Sequence, residues 1–348
     1  MFFASDNSGP VHPKVMEALV NANTGYRSGY GGDTEMADVT AQIRALFEAP
    51  DAAVFLVTTG TAANAILLGT LTNPWETIFC APMAHIHEDE CNAPEFYSDA
   101  KLTLVPAENA KMTPEALRTT MENEGNRGVH GPQHGPVSIT QVTEMGTVHS
   151  LDELQALTKI AHDFGSKAHM DGARFANALV ALGCSPADMT WKSGIDAVSF
   201  GGTKNGLMGV EACVIFDPKL AWEFELRRKR GGHLLSKHRY LSAQMLAYLT
   251  DNLWLDMATQ ANTNCARLAT GLRDNADVTL LYPPDANMIF AEYPRHLHQR
   301  LLNAGANYYV TGGDPLEGDP EALLTARLVS DWSATADDVD QFINVLNG

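Results

Sequence analysis

Short apolar runs alternate with amphipathic stretches through the first two thirds of the chain, and that alternation predicts an α/β fold. The runs Ala52–Val57, Thr77–Cys80, Leu102–Val105, Val137–Val142, Ala168–Met170, Ala197–Phe200 and Ala212–Phe216 read as strands. Most are apolar at consecutive positions, as expected of strands covered on both faces. Helical spacing predicts helices at Ala62–Thr70, Pro114–Glu122 and Leu151–Phe164, after earlier ones at Pro13–Asn21 and from Met36 to Phe47. Ser150 with Glu153 three residues on forms a capping box, and Thr113 before Pro114 marks a second helix start. Strands interleaved with helices imply a mostly parallel sheet between two helical layers.

The pattern changes after Pro218. Lys219–Arg230 is helical and basic, and Tyr240–Ala258 carries one long apolar helical period. Beyond Pro283 and Pro284 come three strand-like runs, Met288–Glu292, Asn307–Val310 and Leu324–Val329, with helices between them and a last helix from about Thr335. Gly305 marks a helix stop, and Gly312–Gly318 reads as a loop. Two units are expected: an N-terminal arm with a large α/β domain over 1–245, and a smaller α+β domain over 246–348.

Composition narrows the function. The 348 residues are 45% hydrophobic and 19% charged, an ordinary globular balance. A net charge of −18 argues against nucleic acid and anionic membranes, which need basic surface. No apolar run reaches the roughly 20 residues of a membrane span, and no basic-then-apolar leader opens the chain. The five cysteines are scattered, without metal-type spacing, so free thiols in a reducing, cytoplasmic setting are expected and no metal site is.

The densest chemistry lies between Lys167 and Met208. A short strand there delivers Asp171, followed by Arg174; the next strand runs into the glycine-rich Ser199–Gly206, which carries Thr203 and Lys204. Ligands of open α/β sheets collect outside the carboxyl ends of the strands, so this acid and this amine can face one ligand. Pyridoxal 5'-phosphate (PLP) fits the pair: its aldehyde takes a lysine amine and its pyridine nitrogen an acidic partner. Either residue alone is more simply a helix cap or a solvated loop lysine. Thr59-Gly60-Thr61, between strand Ala52–Val57 and helix Ala62–Thr70, forms a helix N-terminus suited to a phosphate, and Thr203 could add a hydroxyl.

Further polar residues surround this frame. His85 could lie against an aromatic cofactor ring and act as acid or base; the bland alternative is a polar helix start, and His87 is badly spaced to share a metal with it. Glu144, just past strand Val137–Val142, could move a proton or hold water. Arg174 and Arg327 could bind a substrate carboxylate bidentately, although Arg327 in an apolar strand could equally serve an internal ion pair.

Taken together, these motifs resemble the low-specificity L-threonine aldolases, including the phenylserine aldolase branch, within the PLP enzymes of the aspartate-aminotransferase fold (fold type I). The resemblance runs from Ala4-Ser5-Asp6-Asn7 through Tyr30-Gly31-Gly32-Asp33, Thr59–Asn64, His85 and Asp171-Gly172-Ala173-Arg174 to Thr203-Lys204 and Arg327. It implies that Lys204 joins the PLP aldehyde and Asp171 meets the pyridine nitrogen. Gly60, Thr61 and Thr203 would hold the phosphate, with Thr59 beside them, and His85 would stack on the ring. Ser5, Arg174 and Arg327 would hold the substrate carboxylate. It also implies a homotetramer built from dimers, with Tyr30 and Lys237–Arg239 reaching the neighbouring site, and cleavage of L-threonine, L-allo-threonine or phenylserine to glycine and an aldehyde. Glu144 stands where many members carry histidine, and Gly32 where many carry aspartate. The hydroxyl proton would then pass to His85, Glu144, His87 or a phosphate-bound water. A related β-eliminating lyase or aminotransferase, or a non-catalytic binding protein on the same scaffold, are the competing readings.

Overall fold

A computed structural model describes residues 1–348. Seven strands form the main sheet: β1 Ala53–Val57, β2 Glu76–Cys80, β3 Lys101–Leu104, β4 Gln133–Thr140, β5 Ala168–Gly172, β6 Ala197–Gly201 and β7 Glu211–Ile215. They lie in the order β1-β7-β6-β5-β4-β2-β3. From β6 to β3 neighbours run parallel, while β7 is antiparallel to both β6 and β1. The parallel pairs need long crossovers, which the intervening helices supply. Every residue of β5, β6 and β7 is buried, so the polar side chains they carry, His169, Asp171, Ser199 and Glu211, are enclosed along with the apolar ones.

This topology fixes where chemistry can sit. The carboxyl ends of β1, β2, β4, β5 and β6 all open on one edge of the sheet, where β7 begins. Along β6 the pleat sends Phe200 and Ser199 to opposite faces. Phe200 is fully buried, edge-on to Phe175 at 5.1 Å and Trp254 at 5.3 Å. Burying such a side chain stabilises the fold by about 1.5–3 kcal/mol and anchors the strand just ahead of Lys204. The turn that follows is tight: a Cβ on Gly201 would lie 2.5 Å from the Ala173 carbonyl oxygen, and Gly206 has φ +90°. Only glycine meets both demands without displacing backbone.

The second sheet holds four antiparallel strands, Thr279–Leu280, Met288–Pro294, Leu323–Val329 and Tyr309–Thr311 in that order. Helix Leu253–Arg273 spans both cores, with Met257 and Ala258 in the larger and Cys265, Leu268 and Leu272 in the smaller. Two sequence expectations need correction. The apolar period Tyr240–Ala258 is two helices, Arg239–Leu249 and Leu253–Arg273, split where Asp251 and Asn252 take φ of 53° and 58°. Short Asp and Asn side chains tolerate that left-handed turn while leaving the hydrophobic spacing intact. The run Asn307–Val310 begins its sheet pairing only at Tyr309, because Asn307 is engaged by the N-terminal arm: its carbonyl accepts the Phe3 N–H at 2.7 Å. Phe3 itself is fully buried in the smaller core, 5.4 Å from Phe342. The first residues are therefore pinned by the last hundred.

Candidate active site

Where β1, β4, β5 and β6 end, a cavity of about 270 Å³ is lined by Thr59, Gly60, Thr61, His85, Glu144, Asp171, Arg174, Thr203 and Lys204, with Asn7, Thr58, Asn64, Glu90, Thr140 and Glu211 also on its wall. Nine of the twelve residues expected from the sequence thus converge. Ser5, Tyr30 and Arg327 do not line this cavity.

Asp171 is held at both carboxylate oxygens. It sits one residue from the end of β5, and its Oδ1 accepts the Ala173 N–H at 3.0 Å while Oδ2 accepts from Asn64 Nδ2 at 2.9 Å. Asn64 is oriented in turn by the Ser199 hydroxyl, which donates to its Oδ1 at 2.9 Å. The other Asn64 bond goes to Glu90 Oε1 at 2.9 Å, and the same oxygen pairs with His85 Nδ1 at 2.9 Å. Pairing to the carboxylate puts the His85 proton on Nδ1 and leaves Nε2 as the free acceptor. This Glu90 hydrogen bond raises the His85 pKa above 6.5, against the opposing effect of burial, while burial raises that of Glu90. His87 turns away, with Nδ1 on the Pro82 carbonyl at 2.9 Å.

Glu144 approaches from the loop after β4. Its Oε1 accepts the His85 backbone N–H at 2.7 Å, its Oε2 is buried without a partner, and burial pushes its pKa up to about 7. Lys204, on the single turn Thr203–Asn205, is partly buried, and its desolvation together with the charge of Arg174 lowers its pKa. A lowered pKa favours the neutral amine, the nucleophilic form. Opposite lies the anion-binding end. Thr59 caps helix Gly60–Leu71 by accepting the Ala62 N–H at 3.1 Å, leaving earlier helix amides free, and the buried Thr203 hydroxyl has no well-aligned partner. These donors suit a phosphate, Asp171 a protonated ring nitrogen and Lys204 an aldehyde, so the residues present fit PLP.

Arg174 is already paired within the chain. Its Nε and Nη2 donate to Asp6 Oδ2 and Oδ1 at 2.6 and 2.9 Å, and Asn287 Nδ2 adds a bond to Oδ2 at 3.1 Å. Burial opposes ionisation of Asp6, but Arg174 and Lys204 outweigh it and hold the carboxyl below the usual carboxylate range. Such a depressed pKa stabilises the fold at all pH values above the unfolded pKa, and that contribution is lost only as pH falls through the folded one. Asp6→Asn leaves a buried guanidinium without its counter-charge, so we expect a loss of about 3–5 kcal/mol, seen as a fall in the urea midpoint. An unchanged midpoint would show that Asp6 does not hold Arg174 in solution. Arg327 takes part in no ion pair, so the internal salt bridge weighed from the sequence is not present; its guanidinium lies 5.7 Å over the Tyr309 ring. Tyr30 is half-exposed, beneath Lys229 at 4.7 Å.

Sequence reading missed the roles of Glu90, Asn64 and Glu211. Asn64 and Glu211 did carry a signal: an amide inside the apolar helix expected at Ala62–Thr70, and an acid just before the apolar strand expected at Ala212–Phe216. Glu90 carried none, being the last of three consecutive acids, Glu88, Asp89 and Glu90.

The sheet order, the antiparallel β7 and a cavity holding a lysine and a buried carboxylate at adjacent strand ends define an α/β enzyme of fold type I. A family model described as "Beta-eliminating lyase" matches residues 3–294. A low specificity L-threonine aldolase of Pseudomonas sp. (strain NCIMB 10558) is 41% identical over 88% of each chain, and one of Pseudomonas aeruginosa is 40% identical over 90% of each. The solved threonine aldolase of Leishmania major superposes with a TM-score of 0.92 at 27% identity, covering 99% of this chain and 98% of that one. The chain belongs to the beta-eliminating lyase family, in the group of the low specificity L-threonine aldolases.

Proposed function

We propose that the protein is a PLP-dependent aldolase that cleaves L-threonine, L-allo-threonine and related β-hydroxy-α-amino acids such as phenylserine, reversibly, to glycine and an aldehyde. The observation that carries this reading is the facing of Asp171 and Lys204 across one cavity, beside the Thr59–Thr61 helix start, in a chain so similar to aldolases. When bound, PLP supplies a ring able to accept the electrons of the breaking Cα–Cβ bond. Lys204 supplies the amine for its aldehyde, Asp171 keeps the ring nitrogen protonated, and Gly60, Thr61 and Thr203 take the phosphate. Arg174 offers the substrate carboxylate its remaining Nη1, and Arg327, free of ion pairs, offers a full guanidinium; Ser5 supports the same end.

His85 Nε2 takes the β-hydroxyl proton. Its Nδ1 is occupied by Glu90, so the ring presents its acceptor nitrogen, whereas Glu144 commits Oε1 to the His85 backbone N–H and is partly neutral near pH 7. A base must be unprotonated to act, so kcat/KM should fall as pH drops through the raised His85 pKa. His85→Asn should lower kcat by roughly 10²–10⁴-fold and flatten that limb, while Glu144→Gln keeps it. Loss of the limb in Glu144→Gln would transfer the role to Glu144.

We further propose a cytoplasmic homotetramer, a dimer of dimers, with the chain divided near residue 245. Tyr30 and Lys237–Arg239 lie outside their own cavity, and the half-buried Arg239 ties the two segments by donating to the Gly25 carbonyl at 2.8 Å. In the assembly they complete the site of the adjacent protomer. The test of function is direct: glycine and aldehyde are measured over L-threonine, L-allo-threonine and phenylserine with added PLP. Formation of a keto acid or ammonia without glycine would replace aldol cleavage by transamination or elimination.

A further inference from the structure

Glu211 is a buried carboxylic acid on the cavity wall that the chemistry above does not use. It opens β7, the strand wedged between β1 and β6, and so pairs in register with both Val57 and Gly201. Each of those residues leads into a loop that supplies threonine hydroxyls, Thr58–Thr61 on one side and Thr203 on the other. The carboxyl therefore stands between the two halves of the anion-binding end. Its Oε2 accepts the Gly202 N–H at 2.7 Å, and the Thr203 hydroxyl lies beside it.

The groups facing Glu211 cannot neutralise an anion on its far side. Lys204 comes from the loop after β6, Cys213 from β7 itself, and Tyr248 from helix Arg239–Leu249, its hydroxyl donated to the Gly201 carbonyl at 3.1 Å. Lys204 is the cation that acts on Glu211, and its amine is committed to the aldehyde; Arg228, which faces Cys213, is spent on the Leu56 carbonyl and on Glu225. An ionised carboxylate beside a phosphate dianion in a buried site is strongly repulsive.

We propose that Glu211 meets the cofactor phosphate as a neutral acid and donates a hydrogen bond to it, so that phosphate binding takes up one proton at this carboxyl. The inference rests on the phosphate reading of Thr59–Thr61 and Thr203. Burial already holds Glu211 at a pKa of about 7, and an adjacent anion raises it further. Above pH 7 the proton comes from solvent, so the phosphate contribution to affinity weakens as pH rises.

The test compares PLP with pyridoxal, which lacks the phosphate, on the full chain freed of cofactor and on Glu211→Gln, by fluorescence titration between pH 6.5 and 8.5. Proton release at the Lys204–aldehyde linkage is common to both ligands and cancels in the ratio of their Kd values. In the unaltered chain the advantage of PLP over pyridoxal should fall by up to about tenfold per pH unit above 7, and in Glu211→Gln it should stay flat. An identical pH slope in both proteins would overturn the inference while leaving the phosphate site standing. PLP binding no tighter than pyridoxal at any pH would instead remove the phosphate reading itself. Should Glu211→Gln fail to fold, calorimetry of the unaltered chain at pH 8 in buffers of different ionisation enthalpy decides: PLP should take up close to one proton more than pyridoxal, and equal uptake would overturn the proposal.

Discussion

Lys204→Ala lowers kcat for aldol cleavage by on the order of 10⁴-fold or more and removes the absorbance of lysine-linked PLP, while leaving the fold intact. The magnitude is that of deleting a group which forms a covalent bond during turnover, not one that merely assists. The selectivity of the effect follows from the local structure. Lys204 projects from a single turn whose backbone is set by Gly201, Gly206 and the Phe200 anchor, and the lysine amine itself makes no ion pair. Asp6, which Lys204 helps hold ionised, keeps its bidentate Arg174, so removing the amine leaves that carboxylate paired. Added small amines should restore part of the activity, since the missing group is a nucleophile of lowered pKa. Turnover within tenfold of the unaltered enzyme would dismiss Lys204 from the chemistry.

Asp171→Asn lowers kcat by on the order of 10³-fold with a much smaller change in KM, as expected for charge that matters most when the bond breaks. The carboxylate is fixed at both oxygens, by the Ala173 N–H and by Asn64 Nδ2. An amide of the same shape would keep the Ala173 bond but set its NH₂ against the Asn64 NH₂, unless Asn64 reorients and abandons the Ser199 hydroxyl. A modest stability loss, close to 1 kcal/mol for a disturbed hydrogen bond, should therefore accompany the kinetic loss. Asn64→Ala should act through Asp171 and shift the pH dependence of cofactor absorbance without abolishing binding. An Asp171→Asn enzyme with unchanged kcat would mean that no positive charge on the ring nitrogen is needed.

Much of this site was legible before any coordinates. Asp171 lies at the end of β5 and Lys204 just past β6; either alone reads as a cap or a solvated loop residue, and it is the pair on successive strand ends that points to one ligand. The Thr59–Thr61 helix start and the Ser150–Glu153 box are local motifs whose hydrogen bonds close within three residues, so spacing alone specifies them. Other residues gave less. Arg174 read as a free substrate clamp, yet it spends two of its nitrogens on Asp6, a residue 168 positions earlier that the linear chain does not connect to it. Arg327 read equally as clamp or ion pair, and only its surroundings showed it unpaired.

The sequence by itself determined what is local or periodic: the main-sheet strands and the longer capped helices, and which strand ends carry an acid, an amine or hydroxyls; the short helices Ala93–Ser98 and Phe175–Leu182 lacked a period long enough to read. The tertiary structure alone decided the long-range pairings. It tied the N-terminal arm to Asn307 and Phe342, linked His85 through Glu90 and Asn64 to Asp171, and wedged Glu211 between two threonine loops. The reason is physical: periodicity records which face of an element is buried, whereas the partner of a buried charge is set by where the crossovers bring distant strand ends together.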